Sequence, residues 1–275
     1  MTASRVVAEG LAFPEGPAFE PDGTLWWVEI DGSVLGCRRN DGSIDRRVIG
    51  GKPNGLAFDK AGELWICDQG ANAVRRHDPL TGETATIVSA IDGKPLGKPN
   101  DLAFDAMGNL VFTCPNDARQ EPNGYICCLG TDGGLHRIAN GLFFPNGLAF
   151  TPDGAHLVVA ETYRHRLWKG VWDPFKRVWV DPQPWIEVGG PIGPDGMAFA
   201  NDGLLYVAIF GQGLVRLFDH NGGPKGTIAT PGQRPTNVAF DPSGQQGLVV
   251  TEAEHGQLLS YPSIRSLPVL FPRSS

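Results

Sequence analysis

Six prolines, Pro14, Pro53, Pro99, Pro145, Pro194 and Pro235, are each followed by a residue with a side-chain oxygen: Glu15, Asn54, Asn100, Asn146, Asp195 and Thr236. Carboxylate, amide and hydroxyl oxygens are hard donors, the ligand type that suits Ca²⁺, Mg²⁺ or Mn²⁺. No thiolate or imidazole, the ligands of a zinc or redox centre, belongs to the set. Whether the six residues do chemistry together depends on what positions them.

The prolines anchor near-copies of one string: "FPEGPAFEPDGTLWWVEI", "KPNGLAFDKAGELWICDQ", "KPNDLAFDAMGNLVFTCP", "FPNGLAFTPDGAHLVVAE", "GPDGMAFANDGLLYVAIF" and "RPTNVAFDPSGQQGLVV". Repeats of forty-odd residues, with several short strands each and no amphipathic helix pattern, predict an all-β, six-bladed β-propeller with four-stranded antiparallel blades around a central channel, one domain over residues 1–275. In the second copy Leu56–Phe58 reads as the first strand, Asp59–Gly62 as a turn and Leu64–Cys67 as the second strand. Two more strands flank "DPLTG". The first strand of each copy should lie nearest the axis, where GLAF, DLAF, GMAF and NVAF supply short apolar residues. A ring must close without a bare edge, so Ser4–Glu9 is expected as the outer strand of the last blade, beside Gln257–Tyr261. The terminal "PSIRSLPVLFPRSS" reads as a tail on the surface.

Composition excludes several function classes. With 30 acidic against 23 basic residues and a formal charge of -7, no clustered positive field is available for nucleic acid or an anionic membrane. The start, "MTASRVVAEGLAF", has neither a signal-peptide nor an anchor pattern, so a cytoplasmic protein is expected. The 5 cysteines lack CxxC spacing and read as reduced thiols, with adjacent Cys127 and Cys128 facing opposite sides of one strand. The 6 histidines lack ligand spacing and are expected on solvated loops or strand edges.

If the copies are equivalent blades, the six post-proline residues ring one mouth of the channel. An asparagine there can cap a turn by bonding its own backbone, and turn capping is the reading taken for Asn54 and for Thr236. Glu15 and Asp195 fit that reading poorly. Two carboxylates converging on a narrow channel repel one another and are poorly solvated unless a cation sits between them.

At these residues the chain resembles the senescence marker protein/gluconolactonase/luciferin-regenerating enzyme family. The resemblance is carried by "PEGP" around Glu15, "WWVEI", "KPND" around Asn100, "FPNGLAFTPDG" around Asn146, "VVAETYRHRLWK" and "PDGMAFANDG" around Asp195. It implies one divalent metal ion, Ca²⁺ first and Zn²⁺, Mn²⁺, Mg²⁺ or Fe²⁺ as alternatives, held by Glu15, Asn146 and Asp195. Asn100 then stands at a fourth position touching metal or substrate, with Lys98 and Asp101 as substrate contacts. The implied reaction is opening of a small-molecule sugar lactone to its aldonic acid, the ion polarising the carbonyl and Asp195 taking the proton of the attacking water. Cys114 departs from the aspartate that many gluconolactonase-like members carry there, and a packed thiol is expected. Tyr163 and Glu161 are candidates for the rim, each balanced against a role in blade structure. The alternatives on the same scaffold are a phosphotriesterase-like hydrolase and a non-catalytic calcium-binding propeller. No nucleic-acid or membrane partner is expected, and the chain is read as a monomer or weak homo-oligomer.

Overall fold

The computed structural model describes residues 3–269. Six four-stranded antiparallel sheets form a closed ring, each inner strand touching the next and the sixth touching the first. This is the predicted six-bladed β-propeller. Blade one comprises Pro14–Phe19, Leu25–Glu29, Val34–Arg38 and Ile44–Val48, and blade four comprises Pro145–Phe150, His156–Glu161, Arg166–Asp173 and Val178–Glu187. The inner strands of blades two, three, five and six are Pro53–Phe58, Leu102–Phe104, Gly193–Phe199 and Pro235–Phe240. Blade six is completed by Arg5–Ala8, which pairs antiparallel with Gln257–Tyr261 as expected, so the two ends of the chain lock the ring. The one helical segment among the described residues is a 3-10 turn at Thr162–Arg164, and none of their helices is long and apolar enough to cross a membrane.

The core lies between neighbouring blades. Val158 and Leu167 of blade four, for example, pack with Met197, Leu205 and Val207 of blade five. Cys127 and Cys128 do enter opposite inter-blade clusters. All five cysteines are free and buried. His77 is the exception to the histidine expectation: it is buried on the third strand of blade two, with Nδ1 2.8 Å from Thr84 Oγ1.

Crowding at the axis explains the repeat string. The residue after the post-proline position is Gly16, Gly55, Asp101, Gly147, Gly196 or Asn237. A Cβ on Gly147 would lie 2.3 Å from the Asp195 carbonyl oxygen, and one on Gly16 2.4 Å from that of Asn54. Only blades three and six place a side chain at this level, and Asn237 Nδ2 donates to Asp101 Oδ2 at 3.4 Å. In the inner strands of blades one, two, four, five and six, the pairing register shifts just past the proline. Such a bulge re-aims side chains, and in blades one, two, four and five the post-proline residue faces the mouth.

Buried carboxylates at the end of second strands hold the turns that lead into the inner strands. Glu29 accepts the N–H of Ala12, Asp68 that of Lys52, Glu161 that of Phe143 and Glu252 that of Arg234. In blade three this position is Cys114, and the Gly97 N–H donates instead to the Tyr125 hydroxyl at 2.7 Å. Glu161 also accepts from Arg166 Nε at 2.8 Å and Trp168 Nε1 at 2.7 Å. Its role is therefore blade structure. Removing this buried acceptor strands three donors, so Glu161→Ala should lower stability by about 3–5 kcal/mol, read from urea unfolding. A loss below about 1 kcal/mol would show that the turn is held by other contacts.

Candidate metal centre and substrate cavity

At the mouth where the inner strands begin, a cavity of about 300 Å³ is lined by Glu15, Asn54, Asn100, Asn146 and Asp195 below and by Phe13, Ile30, Phe144, Tyr163, Ile192 and Phe210 around the sides. The five oxygen-bearing residues come from blades one to five, brought together by the ring and by nothing in sequence proximity. All five are buried. Thr236, from blade six, does not line the cavity: its hydroxyl lies 2.9 Å from the Pro14 carbonyl of blade one and 2.7 Å from Thr251 Oγ1 of the next strand, so it is structural but ties blades and strands together where a turn cap was expected. Asn54 differs from expectation. Its side chain makes no hydrogen bond among the described residues, so it caps no turn and instead presents its amide to the cavity.

The charge balance of the floor is unusual. The Glu15 carboxylate accepts the Gly16 N–H at 2.9 Å, and burial, reinforced by the nearby Asp101 carboxylate, pushes its pKa up to about 8. Burial pushes Asp101 up to about 7, against the opposing hydrogen bonds of Leu102 and Asn237. Asp195 is driven well above the ordinary carboxylate range by burial and then by Glu15 and Asp101. The side chains that moderate this repulsion are the amides of Asn237 and Asn146. No ion pair to any of the three carboxylates exists among the described residues.

These residues fit a hard divalent cation. Asn146 Nδ2 donates to Thr162 Oγ1 at 3.2 Å, while its Oδ1 accepts no hydrogen bond among the described residues. Thr162 in turn is fixed by donating to the Pro194 carbonyl at 2.8 Å. No cluster of three or more His, Cys, Asp or Glu residues is placed to hold a metal ion among the described residues, and the oxygens that stand beside the two floor carboxylates belong to the amides of Asn54, Asn100 and Asn146. Calcium accepts such a mixed set.

The remaining predicted residues are placed differently. Asp101 is buried beneath the floor, lines the cavity at the opposite end of the channel and accepts a hydrogen bond from Asn237, outside the lining of the mouth. Lys98 is half-buried and ion-paired to Asp117 at 2.7 Å, outside the cavity lining. The basic residue that does line the cavity is Arg119, whose guanidinium lies 5.5 Å from the centre of the Tyr163 ring. It stands on an irregular loop outside the repeat string, which is why the repeats did not point to it. Cys114 is fully buried beside Tyr125 and Cys127, the packed thiol expected.

Fold and floor together define a six-bladed propeller with an oxygen-lined axial mouth. The chain belongs to the SMP-30/Gluconolactonase/LRE-like family, whose model matches residues 13–254. It is 31% identical to diisopropyl-fluorophosphatase of Loligo vulgaris over 93% of this chain and 90% of that one. It is 30% identical to a gluconolactonase of Zymomonas mobilis over 70% of this chain, the aligned part being 58% of that enzyme. A solved gluconolactonase from Xanthomonas campestris superposes with a TM-score of 0.83 at 30% identity, covering 93% of this chain and 88% of that one.

The raised carboxyls have a measurable consequence. Without a cation, ionising Glu15 is opposed in the fold, so its stabilising contribution is complete below about pH 4.5 and is lost as pH rises through about 8. A divalent ion must displace that proton. Calcium titrated into chelator-treated protein at pH 7 should release about one proton or more per ion, and affinity should rise between about pH 6 and 9. Calorimetry in two buffers of different ionisation enthalpy reads this directly, and identical heats would mean the carboxyls are already ionised.

Proposed function

We propose that this protein is a metal-dependent lactonase that opens a cyclic ester to its hydroxy acid. The observation that carries the reading is the convergence of Glu15, Asp195 and three asparagine amides, all buried, on a cavity of about 300 Å³. Glu15, Asn146 and Asp195 would hold the ion, with Asn100 and Asn54 as further oxygen donors toward ion or substrate. When bound, a divalent cation supplies Lewis-acid polarisation of a carbonyl oxygen. Asp195, ionised beside it, takes the proton of the attacking water and returns it to the departing ring oxygen. Asn100 and Arg119 donate hydrogen bonds that orient the ring. A depressed pKa weakens an ion-bound carboxylate as a base, so positioning must contribute much of the rate. The family, and the gluconolactonases similar to this chain, support a lactone substrate, with sugar lactones as the first to assay.

A phosphotriesterase-like hydrolase is the second reading, favoured by the likeness to diisopropyl-fluorophosphatase across almost the whole chain. The same floor would then serve a P=O bond. Purified protein assayed on a lactone panel and on a fluorophosphate, with and without chelator, separates the two. Lactone turnover lost on chelation and restored by Ca²⁺ is the expected result, and metal binding with no turnover on either class would leave a calcium-binding propeller.

Two substitutions test the roles. Glu15→Gln should weaken metal binding and abolish turnover together. Asp195→Asn keeps an oxygen donor and loses the proton acceptor, so turnover should fall by at least about a hundredfold, with metal content by elemental analysis reported on the same preparation. Near-normal turnover would show that another group activates the water.

A further inference from the structure

The mouth cavity is two-faced. Its floor is polar, but blades one, four and five surround it with Phe13, Ile30, Phe144, Tyr163, Ile192 and Phe210, while Gln69 and Arg119 of blades two and three provide the polar side. The aromatic walls are paired: Phe13 and Phe210 stack with centroids 6.3 Å apart, and Phe144 meets Tyr163 edge-on at 5.4 Å. A polyhydroxylated ring seated here would turn part of its hydroxyls toward the rings of Phe13, Phe144 and Phe210 and the side chains of Ile30 and Ile192, where only the Tyr163 hydroxyl offers a partner, and a desolvated hydroxyl without a partner weakens binding.

The backbone adds an independent observation. Phe13 and Phe144 have φ of 62° and 61°, each directly before the proline that starts an inner strand. The same position is Lys98 with φ 56° in blade three and Gly193 with φ 138° in blade five. Lys52 and Arg234, at the same position of blades two and six, are not left-handed, so the conformation belongs to four of the six blades, and glycine is its unstrained occupant, as blade five shows. Blades one and four carry phenylalanine instead, against its backbone preference, and both rings form walls of the cavity. Lys98 carries the same strain outside the cavity lining, so the strain by itself assigns no role; what sets Phe13 and Phe144 apart is that their rings form the wall.

We propose that the cavity is shaped for a lactone bearing an apolar substituent, in preference to a bare polyol lactone, and that Phe13 and Phe144 are the residues that select it; the proposal rests on the lactonase reading. The ring carbonyl faces the oxygen floor. The apolar substituent lies against the walls of blades one, four and five, and the remaining acceptor faces Gln69 and Arg119.

The test compares a δ-valerolactone carrying a five-carbon alkyl chain with glucono-δ-lactone, using calcium-loaded wild type and the Phe13→Gly, Phe144→Gly and double variants. Because glycine relieves the left-handed backbone, the variants should fold, which thermal melting checks. Wild type should favour the alkyl lactone by about tenfold or more in kcat/KM. The double variant should lose about tenfold or more on that substrate, mainly through KM, and less than about threefold on glucono-δ-lactone. A wild-type preference for glucono-δ-lactone, or equal losses on both, overturns the proposal. If neither lactone is hydrolysed, the lactonase reading falls, and binding of the matching alkyl lactam, followed by NMR, decides the walls separately. Binding by wild type and not by the double variant upholds them as an apolar selector, whereas no binding, or equal binding by both, overturns that too.

Discussion

The constraint on which this structure depends is the lack of room at the propeller axis. Six inner strands approach so closely that a single Cβ at Gly16, Gly55, Gly147 or Gly196 would fall within 2.5 Å of a neighbouring blade's atoms. Side chains are therefore excluded from most of that level, and the residue just above it is the last that can project inward. A ring of side chains at the mouth follows from the crowding, and five of its six members reach the cavity. Asp101 and Asn237 are admitted one level down because the other blades give up their side chains there.

That geometry creates an electrostatic problem and its resolution together. Glu15, Asp101 and Asp195 share a narrow, poorly hydrated axis with no cationic side chain paired to them among the described residues. Desolvation and mutual repulsion drive protons onto them, the state least suited to a ligand or a base. Amides moderate this, since Asn146 and Asn237 donate to the carboxylates without adding charge. A divalent cation would resolve it, because one ion at the mouth would offset both desolvation and repulsion. The lower carboxylate, Asp101, then strengthens the field at the floor without occupying the mouth.

Around that floor the fold spends structural effort on placing walls. Carboxylates of the second strands clamp the turns before the inner strands, and Glu161 and Glu29 thereby hold the segments that carry Phe144 and Phe13. In blade three a tyrosine hydroxyl takes the place of the carboxylate, which frees that strand end to carry Cys114 as core filling. The same clamp thus positions the left-handed residues whose rings enclose the cavity. Opposite the mouth, Pro268 and Val269 help to line the other end of the channel, so the tail expected on the surface lies across it as far as it is described.

Sequence by itself determined the repeat, the number of blades, the closure by Arg5–Ala8 and the oxygen-bearing ring, because each is written in local strings and their spacing. Glycine and proline at fixed offsets encode the axis crowding, so the convergence of Glu15, Asn146 and Asp195 is legible in one dimension. What only the tertiary structure decided is which neighbours a residue meets across blades. Asn54 reads like a turn cap because that motif is local, yet it faces the cavity. Lys98 reads like a substrate contact, but Asp117 on the following loop takes its charge. Arg119 leaves no repeat signature, and Phe13, Phe144 and Phe210, though they stand at the ends of the repeat strings, reveal their direction only once the ring is closed. His77 appears polar in sequence and is buried because Thr84 on the adjacent strand supplies its hydrogen bond. Local steric demands are visible in one dimension; contacts between segments some forty residues apart are not.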